Sequence, residues 1–213
     1  MKLTLSRQWR AACTAVVSLH LMACATTPPI RFHSLLALDG TARAMPAVSG
    51  SGPGLTFTLA AVTLPPQLDQ PQWLLRNADG TLSLLEQERW VAPLRAELQS
   101  ALWDRWANAW GARAPSTTGP KESLWRVTVD VTRWDAVPGR EVRLETRWSA
   151  ASGALALSCR SVIQEATSLD VSSPVLALAA GHRRAVVRLA DEVASRIADI
   201  QKGQPGRCAE LPT

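Results

Sequence analysis

Three consecutive stretches in the second half of the chain alternate apolar with polar residues, and this pattern constrains the fold more than any other. They run from Trp125 to Thr132, from Glu141 to Trp148 and from Leu155 to Ile163. Alternation with a period of two places the apolar side chains of a strand on one face. Because the links around Gly139 and Gly153 are short, we expect an antiparallel meander whose apolar face must be covered.

Two amphipathic helices are predicted to supply that cover. The first spans Trp90–Trp110, carries apolar residues at every third or fourth position and ends at Gly111. The second begins at Ser173-Pro174 and ends at Gly203, and His182 lies on its apolar stripe. We therefore predict an α+β fold, an antiparallel sheet with two amphipathic helices packed on one face.

The first half of the chain contains further predicted strands. A strand over Arg31–Leu38 is followed by a turn-rich loop over residues 39–54 and a second strand over Leu55–Leu64. Residues 72–85 fit a hairpin about the turn Asn77–Gly80. All these elements belong to one predicted domain, which covers residues 30–202.

The net positive charge of the chain comes largely from its first segment. The 213 residues include 23 Lys and Arg against 18 Asp and Glu, for a net charge of +5. Three of those cations and no acid lie in residues 1–23, so 20 cations face 18 acids in the remainder. A balance of about +2 gives no support for a nucleic-acid partner. Apolar residues at 46% and charged residues at 19% are typical of a globular domain.

Residues 1–23 have the pattern of a signal peptide. A basic start precedes the apolar run Ala11–Met22, which is too short to span a bilayer. The run ends in Leu21-Met22-Ala23-Cys24, which resembles the lipobox of bacterial lipoproteins. Cleavage before Cys24 would leave a cysteine that carries acyl chains such as palmitate, followed by a tether over residues 24–29.

The residue after the cysteine predicts the membrane to which the lipoprotein is sorted. Ala25 is not the Asp that retains enteric lipoproteins at the inner membrane. By that resemblance we expect an anchor in the outer membrane of a Gram-negative cell, with the domain facing the periplasm. The alternative is an ordinary signal peptide in which Cys24 follows Ala23 by chance.

Few residues of the mature chain are suited to catalysis. Its histidines are His33 and His182, and the position of the second on a helix stripe favours a core contact. The sequence has no nucleophile elbow, zinc-protease motif, phosphate loop or Cys-x-x-Cys pair, so we predict no catalytic residue, metal or cofactor. An enzyme would instead need a polar cleft at one of these histidines with acids nearby. Four acids on the strands are assigned to solvated faces: Glu86, Glu88, Glu141 and Glu145.

Two other thiols remain in the mature chain. Cys159 lies on the apolar face of the third meander strand and Cys208 lies just beyond the last helix. In an oxidising compartment such an even pair predicts a disulfide, which would hold the tail over residues 203–213. The alternative is a buried Cys159 and an unpaired tail thiol.

Trp103 and Trp110 widen the apolar stripe of the first helix. They fit core packing, but they also fit a patch that contacts a partner, because Trp is enriched at interfaces. As a partner contact, at least one of them should be substantially exposed in the isolated chain.

The run from Val62 to Arg76, followed by Trp90-Val91-Ala92-Pro93-Leu94, resembles the ABC-type transport auxiliary lipoprotein family. Shared features are the Val-x-Leu-Pro and Leu-Asp-x-Pro patterns, the Arg that closes the strand and the Trp before the helix. The likeness covers about residues 30–200, and His33 stands where the family commonly has Tyr. The family includes paraquat-inducible lipoproteins of the PqiC type.

The resemblance implies an adaptor without catalytic activity. Its members work with a mammalian-cell-entry (MCE) domain protein and a permease that move lipids or other hydrophobic solutes between two membranes. Two alternatives stay open: a periplasmic enzyme or cell-wall-binding lipoprotein with an unrecognised site, and a direct lipid carrier. A carrier requires a cavity lined by the apolar faces, so a filled core would count against it. The solute, the partner and any homo-oligomer are not specified by the sequence.

Overall fold

The structure, a computed structural model, describes residues 28–36, 55–115, 124–167, 173–204 and 208. The predicted anchor Cys24 and the predicted loop over residues 39–54 lie outside these residues. In chain order, the strands and α-helices of the described residues are β1 (Arg31–His33), β2 (Thr56–Thr63), β3 (Gln72–Arg76), β4 (Leu82–Trp90), α1 (Leu94–Trp110), β5 (Leu124–Val137), β6 (Glu141–Ser152), β7 (Leu155–Ala166) and α2 (Pro174–Gln201).

The larger sheet has four strands in the order β2-β5-β6-β7. Strands β5, β6 and β7 form the predicted antiparallel meander, in which Trp148 pairs with Val129 on one side and Cys159 on the other. Strand β2 runs parallel to β5. A parallel pair needs a long crossover between its strands, and here β3, β4 and α1 lie in that connection.

Both helices cover the apolar face of the four-stranded sheet. Helix α1 contacts β2, α2 contacts β6 and β7, and the helices contact each other. Leu102, Trp106 and Leu189 are fully buried between these layers. Gly181 lets α2 approach the sheet closely, since a Cβ there would lie 2.9 Å from Val142 Cγ2. The predicted α+β class, with helices packed on a sheet face, is confirmed.

The smaller sheet has three strands in the order β1-β4-β3. Strands β3 and β4 form the predicted hairpin, and β1 joins it parallel to β4, with His33 opposite Trp90. The prediction contained one antiparallel sheet, whereas the structure has two sheets with one parallel pairing in each. Alternation within a strand does not specify which strand lies beside it or in which direction it runs.

Element boundaries that differ from the prediction include those of α1 and β1. Helix α1 begins at Leu94 and not at Trp90, because Trp90 still belongs to β4 and Val91 N donates to His33 O at 2.9 Å. Pro93 also disfavours a helical conformation at the residue before it. Strand β1 ends at His33, three residues into the predicted stretch, because the backbone N–H of Leu35 donates to a side chain of α1.

Candidate functional site

Two buried carboxylates hold the residues that follow the predicted tether. The first is Glu88 of β4, which contacts both Arg31 and His33 of β1. The His33 Nε2 to Glu88 Oε2 distance is 2.6 Å. The register places Arg31 directly opposite Glu88, so these contacts reinforce the parallel pairing. Removal of β1 would leave a buried carboxylate without its partners, which is costly.

The second carboxylate is Glu97 in the first turn of α1. Its Oε2 accepts hydrogen bonds from Ser34 Oγ at 2.7 Å and from the backbone N–H of Leu35 at 2.8 Å. Arg183 of α2 also donates to the carbonyl oxygen of Ser34, at 3.4 Å. Strand β4 and both helices therefore fix the segment from Arg31 to Leu35 to the body of the domain.

The prediction that Glu88 and Glu145 lie on solvated faces is wrong. Both are buried, and Glu145 accepts hydrogen bonds from Arg143 Nε and Arg160 Nη2, each at 2.8 Å. Burial alone raises the pKa of Glu145, but the two guanidinium groups outweigh it and lower that pKa below its ordinary value. The charged residues of β6 therefore form an ion-pair network with β7 and do not mark a solvated face.

Asp135 of β5 links this network to the smaller sheet. It forms an ion pair with Arg76 of β3, with 2.9 Å between Arg76 Nε and Asp135 Oδ2, and accepts a hydrogen bond from Arg133. Burial raises the pKa of Asp135, and the hydrogen bonds from Arg76 and Arg133 lower it further than burial raises it. The carboxylate consequently stays ionised and joins the two sheets.

His182 of α2 is enclosed by tryptophans from the three strands β3, β4 and β5. The ring centroids of Trp73, Trp90 and Trp134 lie 5.2, 5.5 and 5.4 Å from the imidazole centroid. His33 packs on the other side of Trp73 at 4.6 Å. Burial lowers the pKa of His182 to about 3, so the imidazole is neutral at neutral pH. The predicted core contact of His182 is confirmed.

These rings line a cavity of about 20 Å³, the space of about one water molecule. Three polar atoms of its walls are buried without a hydrogen-bond partner: Trp73 Nε1, Trp134 Nε1 and His182 Nδ1. The enzyme alternative needs acids beside a histidine in a polar cleft. Here His182 faces aromatic rings, and His33 is paired with a buried carboxylate that fixes β1.

Trp103 and Trp110, the predicted partner contacts, are both partly buried against the core. Trp110 Nε1 donates to Asp191 Oδ1 of α2 at 2.9 Å, and the same carboxylate accepts from Arg105 Nε at 2.8 Å. Neither tryptophan is substantially exposed, contrary to the expectation for a free contact surface. Their contact with a partner stays a prediction.

Cys159 and Cys208 lie within disulfide-bonding distance, with their Cα atoms 5.4 Å apart. Within the described ranges, no three His, Cys, Asp or Glu side chains are grouped so that they could hold a metal ion. No helix in the part of the chain that the structure describes is long and apolar enough to cross a bilayer.

These observations define an α+β domain whose N-terminal segment is fixed to its body directly after a predicted lipid-attachment site. The family model of the ABC-type transport auxiliary lipoprotein component matches residues 37–194. The chain belongs to this family, as the motifs from Val62 to Leu94 predicted. It is therefore a lipoprotein component of a transport system, and its family is not an enzyme family.

The fold is similar to that of a solved protein from Xanthomonas campestris, with a TM-score of 0.54 and 14% identity over 83% of this chain and 96% of that chain. A second solved structure, of an uncharacterized protein, has a TM-score of 0.49 and 14% identity over 66% of this chain and 99% of that chain. No curated protein matches the sequence.

Proposed function

We propose that this protein is the outer-membrane-anchored adaptor of an ABC-type system that moves lipids or other hydrophobic solutes between two membranes. Cys24 carries the acyl anchor, and the domain faces the periplasm, where it binds an MCE-domain protein that works with a permease. The observation that carries the proposal is the family match together with the position of Cys24, seven residues before the clamped strand β1. A short tether and a fixed first strand suit a protein that must hold a partner at a constant distance from a membrane.

The packing of the domain supports an adaptor more than a direct lipid carrier. Pockets that enclose drug-sized ligands measure several hundred Å³. The cavity beside His182 measures about 20 Å³. The interface between the helices and the four-stranded sheet is filled by side chains such as Leu102, Trp106 and Leu189. A carrier that held an acyl chain between the helices and the four-stranded sheet would have to open this core.

The anchor is tested by a pair of cysteine variants of the full chain. Cys24→Ala should abolish acylation and remove the protein from the outer-membrane fraction. Cys13→Ala is the matched control, because Cys13 lies inside the predicted signal peptide and should not affect acylation. The measurement is the intact mass of the mature protein extracted from membranes. A mature N-terminus at any residue other than Cys24 would contradict the anchor.

The partner is tested by purification of the native lipoprotein from detergent-solubilised membranes, followed by mass-spectrometric identification of what co-purifies. We expect an MCE-domain protein and a permease subunit. The double variant Trp103→Ala, Trp110→Ala tests the predicted contact surface, with Leu176→Ala as an exposed control on α2. Unchanged co-purification by a folded double variant would assign the contact to another surface.

A further inference from the structure

The outward side of β1 carries apolar side chains close to the proposed anchor. Arg31 and His33 both point to Glu88, so the alternation of the strand directs Ile30 and Phe32 to the opposite side. Ile30 is 44% exposed and Phe32 is 63% exposed. Val91, at the end of the β1–β4 pair, is 59% exposed. Large apolar side chains that are this exposed and this close in the sheet indicate a contact surface.

An arginine without a partner accompanies these side chains. Arg89 lies opposite Phe32 in the parallel register, so the two side chains share a face of the sheet. Its Nε is buried without a hydrogen-bond acceptor, and Arg89 makes no ion pair with any residue that the structure describes. Arg76 Nε is also buried without a hydrogen bond, but Arg76 and Arg143 are each ion-paired with a buried carboxylate. A buried donor without an acceptor is costly, and a guanidinium binds phosphate oxygens well.

We propose that one surface of the domain docks on the phospholipid surface that holds the acyl chains of Cys24. This surface, here called the anchor-side patch, consists of Ile30, Phe32, Arg89 and Val91. The apolar side chains enter the interfacial layer, and Arg89 binds a headgroup phosphate. The inference rests on the proposed acylation of Cys24. Ile30 lies six positions after Cys24, and an extended chain covers at most about 3.6 Å per residue, or ~22 Å in all. The patch therefore cannot move far from that membrane.

Docking of the patch would fix the orientation of the whole domain. Glu88 holds β1 to β4, and Glu97 holds the residues that follow β1 to α1. The patch therefore cannot rotate independently of the body. The turn between β6 and β7 lies at the end of the four-stranded sheet opposite Trp134 and the smaller sheet. A docked patch would point that turn away from the bilayer, toward the partner. The acyl chains supply the affinity for the membrane, and the patch sets the orientation of the domain on it.

Site-specific photo-crosslinking of the full-length lipoprotein in its native membranes tests this proposal. A benzophenone side chain is introduced by Phe32→p-benzoylphenylalanine, by the same substitution at Val91, and by the same substitution at Leu155 as the control. Leu155 is 45% exposed and adjoins the turn between β6 and β7. We expect phospholipid adducts at positions 32 and 91 at least tenfold above those at position 155. Equal lipid labelling at all three positions, or protein adducts alone at 32 and 91, would overturn the proposal.

The headgroup contact is tested with the same probe at position 32. Arg89→Gln should reduce lipid labelling severalfold, whereas Arg126→Gln, an exposed arginine at the opposite end of the larger sheet, should not. Unchanged labelling in Arg89→Gln would remove Arg89 from the proposal. The intact mass of each sample reports acylation of Cys24 separately. Acylated protein without lipid adducts would refute the docking alone, and unacylated protein would refute the anchor.

Discussion

The two packed regions of this molecule differ in whether the indole N–H groups of their tryptophans have hydrogen-bond acceptors. In the helical layer, formed by α1, α2 and the sheet face they cover, Trp106 Nε1 donates to Ala190 O and Trp148 Nε1 donates to Ser161 Oγ. In the sheet junction, formed by β1, β3 and β4 with Trp134 and His182, Trp73 Nε1 and Trp134 Nε1 have no acceptor. The tryptophan N–H groups of the helical layer are therefore satisfied and two of those in the junction are not, although Thr146 Oγ1 of β6 is also buried without a partner.

Stability and function are divided between these two regions. The stability of the helical layer comes mainly from the burial of apolar side chains. The free energy of that burial is large and does not depend on pH. The junction depends on buried carboxylates, aromatic contacts and a small cavity, and it holds the segment that leads to the proposed anchor. Regions that retain unpaired polar groups and buried charges are frequent sites of function, because their polar groups serve contacts other than internal packing.

The largest effect is expected from Leu189→Ala in the helical layer. Leu189 is fully buried between α2 and the sheet, so truncation should lower the free energy of unfolding by about 2–5 kcal/mol. Leu74→Ala is the matched variant in the junction, where the partly buried side chain borders the cavity and should cost less. Urea denaturation of both variants gives the comparison. A larger loss in Leu74→Ala would contradict the assignment of stability to the helical layer.

The next effect concerns the thiol pair below α2. If Cys159 and Cys208 form a disulfide, Cys208→Ser should lower the free energy of unfolding by up to ~4 kcal/mol, from the loop-closure entropy of a separation of 49 residues. The double variant Cys159→Ala, Cys208→Ser should be no less stable than a reduced wild type. Non-reducing mass analysis of protein from the periplasmic side is the measurement. Free thiols at both positions would disprove the bridge.

A smaller and more local effect is expected in the junction from Glu97→Ala. The variant leaves Ser34 Oγ and the Leu35 N–H without their acceptor, at a cost of about 1–3 kcal/mol. Hydrogen exchange should accelerate at Leu35 and Leu36 while α2 stays protected. Glu86→Ala, which removes an exposed carboxylate from β4, should change stability by less than ~0.5 kcal/mol. Equal effects of the two variants would show that Glu97 does not clamp the segment.

The last effect, which is small near neutral pH and grows as the pH falls, is a pH dependence that originates in the junction. The pKa of His182 is about 3 in the folded chain against an ordinary value of 6.5, so the unfolded chain binds the proton first. Acid should therefore lower the free energy of unfolding between pH 6.5 and 3, by up to about 1.4 kcal/mol per pH unit. His182→Phe should flatten this slope between pH 6.5 and 5, above the range in which Asp135 and Glu145 titrate. Identical slopes in both proteins would exclude His182 as the source.

The elements whose signals are local could be predicted from the sequence alone. The meander, the hairpin about Asn77–Gly80 and the long helix after Ser173 follow from periodicity and turn residues within each segment. The family also follows from short motifs between Val62 and Leu94. Apolar residues at regular spacing must share a face, whatever lies beside them, so these features need no knowledge of the rest of the chain.

The strand pairings and the junction depend on contacts between distant parts of the chain and could not be predicted from the sequence. The parallel contacts of β1 with β4 and of β2 with β5 join residues more than fifty positions apart, and no local pattern encodes their direction. A register shift between Val131 and Arg133 turns Trp134 toward His182, against the alternation of the strand. Glu88 has the sequence signature of a solvated acid. It is buried because the fold brings Arg31 and His33 to it, and the burial of a charged side chain depends on the partners that the fold provides.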